Sequence, residues 1–212
     1  MNTSKNEAVV LLHGLGLCAL YMKKIEFNLE SEGYDVFNID YSSRKDDINS
    51  LTALIQSKLS QIDLTTYGKV HFLGHSLGSI LIRNLLSKIS LTNEGSVIAL
   101  APPNRGSLLA DRLKTINLFC WYFGPAALEL STDSSFLKEL KHIPTDYHVI
   151  AGDKSNGTLF GRWFNESSDG TVSIKSTKAD GMQNQNHVVY PTTHLGILFN
   201  DNVVKKVVDI LN

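Results

Sequence analysis

The stretch KVHFLGHSLGSILIRNLLSK, residues 69 to 88, constrains the fold more than any other. An apolar run with the composition of a buried strand (residues 70–73) meets one with the composition of a buried helix (residues 77–89), and only Gly74-His75-Ser76-Leu77-Gly78 marks the corner. So tight a join needs a central residue in an unfavourable backbone conformation, flanked by glycines that remove side chains which would collide. The corner lifts the Ser76 hydroxyl above the end of the strand. It also points the Leu77 amide, at a helix N-terminus, into the same space, where negative charge is favoured. A serine that only capped the helix would give no reason for the strain, so Ser76 reads as a nucleophile.

The remainder of the chain supplies a frame for that corner. Residues 8–12 (AVVLL) are apolar throughout, as a strand covered on both faces would be, and further strands are predicted over 34–39, 97–101, 147–151 and 187–190. Ile48, Leu51, Leu54, Ile55, Leu59 and Ile62 recur at helical spacing and predict a helix over 47–62, and residues 203–211 form an amphipathic closing helix. Strands alternating with helices indicate an α/β fold: a mainly parallel sheet of about six strands, helices on both faces, in one domain over residues 1–212. Residues 102–145 break the rhythm with helix-like pieces and no strand. They read as a cap or lid-like insertion over the carboxyl ends of the strands, where open parallel sheets bind ligands.

A serine nucleophile needs a base, an acid to orient the base, and donors for an oxyanion. The loop after the first strand, His13-Gly14-Leu15-Gly16, offers the Leu15 amide as one donor, and the Leu77 amide is the other. Of seven histidines, His13 belongs to that loop and His75 is expected to point away from the nucleophile's side. His71, His148 and His187 lie within or at the start of strands, and His142 lies in the insertion. His194, in VVYPTTHLGIL, follows the last strand and every candidate acid, which is the Ser–Asp–His order of this architecture. It is the expected base. Two aspartates compete as the acid. Asp153 sits just past the strand at 147–151, and Asp169 sits in a loop followed by the β-like TVSI. Position does not separate them.

Composition excludes several classes of function. The net charge of −1 and the absence of a basic block leave no nucleic-acid footprint, and no apolar run is long enough to span a membrane. The N-terminal MNTSKNE lacks a basic-then-apolar export pattern, and Cys18 and Cys120 form no metal or CxxC pattern. A reduced, cytoplasmic setting is therefore expected, with no metal and no cofactor.

Taken together, HGLG, GHSLGS, APPNRGSLLAD, GPAALELSTDSSFLKEL, SDGTVSIKST and THLGI, in that order over residues 9 to 199, resemble the α/β-hydrolase superfamily and, within it, bacterial lipases and related small acyl hydrolases. GHSLG is shared across the superfamily, whereas APPNRGS and SDGTVS are narrower and lipase-like. The resemblance implies that Asp169, in the Asp-Gly-x-Val-Ser segment, is the acid of the triad. It also implies that the chain lacks the family's structural calcium, because Gly196 stands where calcium-binding members carry an aspartate. Secreted relatives have export signals and often a disulfide, and neither pattern occurs here.

The reading is therefore a serine hydrolase of carboxylic esters, small-molecule or lipid, with an apolar acyl group. The residues Leu118, Phe119, Trp121, Tyr122, Phe123, Leu128 and Leu130 are expected near the mouth of the site, with Trp121, Tyr122 and Phe123 against the substrate. A thioesterase or acyltransferase would use the same triad, and a non-catalytic binding protein could share the fold.

Overall fold

The first strand is apolar without alternation because both its faces are covered. In β1 (Glu7–Leu12), Ala8, Val10 and Leu12 enter one apolar core while Val9 and Leu11 enter a second on the opposite face. The computed structural model describes residues 5–212 apart from 156 and 160, with the backbone alone for 118–120. β1 pairs with β2 (Asp35–Ile39) and with β3 (Lys69–His75), which continues through β4 (Glu94–Leu100), β5 (Tyr147–Gly152) and β6 (His187–Tyr190). The result is one six-stranded sheet in the order β2-β1-β3-β4-β5-β6, parallel at every pairing. All six carboxyl ends therefore share one rim.

The helices divide between the faces. α1 (Lys23–Ser31) packs Ile25 and Leu29 into one core beside Val203, Val204 and Val207 of α9 (Asp201–Leu211). α2 (Ile48–Leu59) and α3 (Leu77–Leu86) line the other with Ile48, Leu51, Ile55, Ile80 and Leu81. α2 begins where its sequence says, since the Asp47 carboxylate accepts the Ser50 N–H at 2.7 Å. It stops at Leu59, three residues short of the periodic pattern. The pattern of residues 203–211 likewise begins late, because Asn200 caps the helix by accepting the Asn202 and Val203 amides. α1 has no counterpart in the sequence reading. Its inward stripe is short, and Phe27, which masks the period, is 70% exposed.

Residues 102–145 hold no strand among the described residues. They carry α4 (Leu108–Leu113), α5 (Asn117–Phe123), α6 (Pro125–Leu128) and α7 (Ser135–Glu139). The buried Arg83 guanidinium at the end of α3 ties this segment down. It donates to the Leu140 carbonyl at 2.7 Å, to the His142 carbonyl at 3.0 and 3.1 Å, and to Asn104 Oδ1 at 2.8 Å. From the other side, the Ile48 amide of α2 donates to Glu129 Oε2 at 2.7 Å.

The TVSI segment is not a strand. Ser173 makes a single antiparallel bridge to Ser168, and its hydroxyl then caps the short α8 (Ile174–Thr177) by accepting the Ser176 N–H. A local side-chain acceptor overrides the β propensity of Thr-Val here. Among the described residues no helix is long and apolar enough to cross a membrane.

Candidate active site

The site begins with the corner after β3. Ser76 has φ 52° and ψ −118°, a region that costs a non-glycine residue free energy, and it sits as N-cap of α3. Its amide donates to the Leu100 carbonyl of β4 at 2.9 Å, which locks the turn to the sheet. The glycines on either side are required by contact. A Cβ on Gly74 would collide with the backbone at Ser79, and a Cβ on Gly78 would collide with the Leu12 carbonyl of β1. The first turn of α3 therefore packs directly on the neighbouring strand.

His194 lies on the loop after β6, and its ring spans the gap to Ser76. Nε2 is 3.0 Å from Ser76 Oγ, and Nδ1 is 2.7 Å from Asp169 Oδ2. With Nδ1–H donating to the carboxylate, Nε2 carries the lone pair that faces the serine. The other oxygen of Asp169 is also occupied: Oδ1 accepts the Thr171 amide at 2.9 Å and the Val172 amide at 2.8 Å. The carboxylate has no solvent exposure, while the imidazole is 16% exposed. A buried carboxylate bonded on both oxygens has no rotamer to choose, and it fixes the tautomer of the ring it faces. Asp153, the competing acid, is exposed at the end of β5 and stands outside this chain of contacts; its amide donates to the Tyr190 carbonyl.

The loop after β1 closes the other side of the serine. Tyr41 stacks on His13 with ring centroids 4.1 Å apart, and its hydroxyl donates to the His13 carbonyl. The Gly16 amide, in a residue with φ +72°, donates to Ser43 Oγ at 2.9 Å. Burial lowers the basicity of His13, whose Nδ1–H donates to the Gly14 carbonyl, and burial raises the Tyr41 phenol. Tyr41 and Ser43 thus shape the loop, and the sequence reading had singled out neither. Among the described residues, the Leu15 and Leu77 amides donate to no protein acceptor.

A pocket of about 270 Å³ opens on Ser76 and His194, walled by Leu15, Pro103, Leu109, Ala110, Phe123, Ala127, Leu130 and Val172. Phe123 stands in the wall. Trp121 and Tyr122 do not: they are 80% and 52% exposed and line a separate cleft with Arg44, whose guanidinium lies 4.6 Å from the Tyr122 ring centroid. Three consecutive residues of a helix point in directions about 100° apart, so one turn cannot set all three against one pocket. Leu130 is in the wall, Leu128 is 40% exposed and outside it, and the side chains of Leu118 and Phe119 lie outside the described residues.

His75 also departs from expectation. Its ring does not turn away; it lies beneath His194, with centroids 4.8 Å apart. Among the described residues no three His, Cys, Asp or Glu side chains converge so as to hold a metal ion.

No family model matches the chain, and no curated protein matches it. Solved structures do. The mature Bacillus licheniformis lipase BlEst2 is 22% identical at a TM-score of 0.78, over 97% of this chain and 91% of that one. The metagenomic carboxyl esterase MGS0156 is 14% identical at a TM-score of 0.73, over 92% and 66%. Phospholipase PlaB from Legionella pneumophila is 18% identical at a TM-score of 0.67, over 81% of this chain and 45% of that one. The chain has the α/β-hydrolase fold and, within that fold, resembles bacterial lipases and esterases.

Proposed function

We propose that this protein is a serine hydrolase of carboxylic esters with an apolar acyl group, small-molecule or lipid. The observation that carries the reading is one line of contacts, Asp169 to His194 to Ser76, at the mouth of a pocket lined mainly by apolar side chains. Ser76 Oγ attacks the acyl carbonyl while His194 Nε2 takes its proton. The Leu15 and Leu77 amides hold the tetrahedral oxyanion, and Asp169 stabilises the imidazolium. His194 then gives the proton to the leaving alcohol, the C–O bond breaks, and an acyl-Ser76 ester remains. Water, deprotonated by His194, cleaves that ester by the same route and restores the serine.

The experiment is labelling by a fluorophosphonate probe, with turnover of matched esters and thioesters graded by acyl length. Wild type labels and hydrolyses esters, while Ser76→Ala loses both, by about 10⁴-fold or more in rate. Thioesters turned over faster than their ester counterparts would favour the thioesterase reading. Absence of labelling would leave a binding protein on a hydrolase fold.

A further inference from the structure

His75 is the residue beside the nucleophile, and the triad makes no use of it. It is 1% exposed, and its ring touches two other parts of the site. Nε2 lies 2.9 Å from the backbone carbonyl of His194. A carbonyl only accepts, so Nε2 carries the hydrogen and Nδ1 is a bare lone pair. Nδ1 is buried and, among the described residues, has no hydrogen-bond partner.

The second contact explains that orphan. A Cβ at residue 14 would sit 2.6 Å from His75 Nδ1 and 3.2 Å from Cε1, closer than such atoms approach. Gly14 has no left-handed backbone to accommodate, so the ring of His75, more than conformation, is what asks for glycine there. The imidazole is therefore wedged between the loop that presents the Leu15 amide and the loop that presents the catalytic imidazole, while its own backbone leads into Ser76. It is also kept uncharged: burial and the neighbouring His194 and His13 push its pKa well below the ordinary imidazole value. A proton on Nδ1 would find no acceptor among the described residues.

We propose that His75 is a positioning residue which, as a neutral Nε2–H donor to the His194 carbonyl and a spacer against Gly14, sets the His194 ring and the Leu15 amide at their working distances from Ser76. The assignment rests on the triad reading above. Small displacements of reacting groups cost rate far more than they cost binding, so the effect falls on kcat.

The test compares His75→Phe, which keeps a ring but donates nothing, with His75→Gln, whose amide can donate from a similar reach. On a short-chain p-nitrophenyl ester, His75→Phe should lower kcat by about tenfold, with KM changed less than about twofold and fluorophosphonate labelling slowed in parallel. His75→Gln should recover most of the loss. Unchanged kcat in folded His75→Phe, or a Gln variant no better than Phe, overturns the proposal. If His75→Phe does not fold, a double-mutant cycle decides. Gly14→Ala should cost at least about tenfold in kcat in wild type, and at least about fivefold less in a His75→Ser background. Equal costs in both backgrounds overturn the proposal. Ser76→Ala, run beside them, separates the two failures: if it stays active, the triad is wrong, and if it is dead while the His75 effects are absent, only the positioning role falls.

Discussion

His194 is joined to Asp169 twice. The ring bonds the carboxylate at 2.7 Å, and the His194 amide donates to the Asp169 backbone carbonyl at 3.0 Å. The second bond does not depend on the carboxylate, so replacing the side chain should leave the loop in place while removing the acceptor that selects the tautomer. Asp169→Asn is expected to fold and to lose up to about 10⁴-fold in kcat, as an amide donor can favour the wrong tautomer. Asp153→Asn should change kcat by less than about twofold. Rates are to be measured on preparations matched for thermal midpoint, and a crippled Asp153→Asn beside an active Asp169→Asn would reverse the assignment.

The pocket wall gives a prediction about chain length. An apolar cavity of ~150 Å³ accommodates benzene, so 270 Å³ has room by proportion for roughly ten non-hydrogen atoms. Medium-chain acyl esters should be preferred to acetates. Phe123→Ala removes a wall residue and should lower kcat/KM for a medium-chain ester by about tenfold relative to an acetate ester. Trp121→Ala should leave that ratio unchanged, since its side chain faces away. Equal effects of both variants on both esters would mean that the pocket does not hold the acyl chain.

Gly78 meets a backbone atom, which cannot step aside as a side chain can. Gly78→Ala would press a methyl against the Leu12 carbonyl and separate α3 from β1. A loss of about 1–3 kcal/mol in urea unfolding is expected, together with weaker activity because Ser76 rides on the same turn. A variant with wild-type stability would show that the strand and helix have slack between them.

Acid should weaken the fold from a defined point. Burial lowers the pKa of His13, His71, His75, His142 and His187. Unfolded imidazoles bind protons below about 6.5 that these folded ones refuse, so stability is full above that value and falls as pH drops beneath it. Glu94 and Glu129, raised by burial, act with the opposite sign from the carboxylate range upward. Urea midpoints at about pH 7.5, 6.5 and 5.5 check this, and the last should be the lowest. A rise toward pH 5.5 would refute it.

Much of this was legible in the residues, and the misses have causes. The six strands follow from short, mostly apolar runs, their parallel arrangement from alternation with the helical stretches at 47–62 and 77–89, and the strained corner from two glycines around Ser76. Position leaves Asp153 and Asp169 level and the resemblance alone favours Asp169; the contact with His194 that sets Asp169 apart joins residues whose spacing in the chain gives no sign of it. The Trp121-Tyr122-Phe123 cluster was read as one surface, but a helix spreads consecutive side chains around its axis. His75 was read as turned away because it neighbours Ser76 in the chain. In the structure its Nε2 reaches the His194 carbonyl and the two rings lie 4.8 Å apart. Tyr41 and Ser43 carried no pattern at all, since they support the loop through a ring stack and hydrogen bonds across about thirty residues of chain.

The sheet keeps its two apolar layers apart, and the proposed triad straddles them. Ser76 leads into a helix whose Leu77, Ile80 and Leu81 are rooted in one layer, while His194 is followed by Ile197 and Leu198, rooted in the other. The 3.0 Å between hydroxyl and imidazole therefore gauges the alignment of two separately packed halves. A substitution deep in either layer, far from the pocket, acts on that gauge as a lever acts on its tip, and the proposed reaction would register slippage that the backbone ladder conceals.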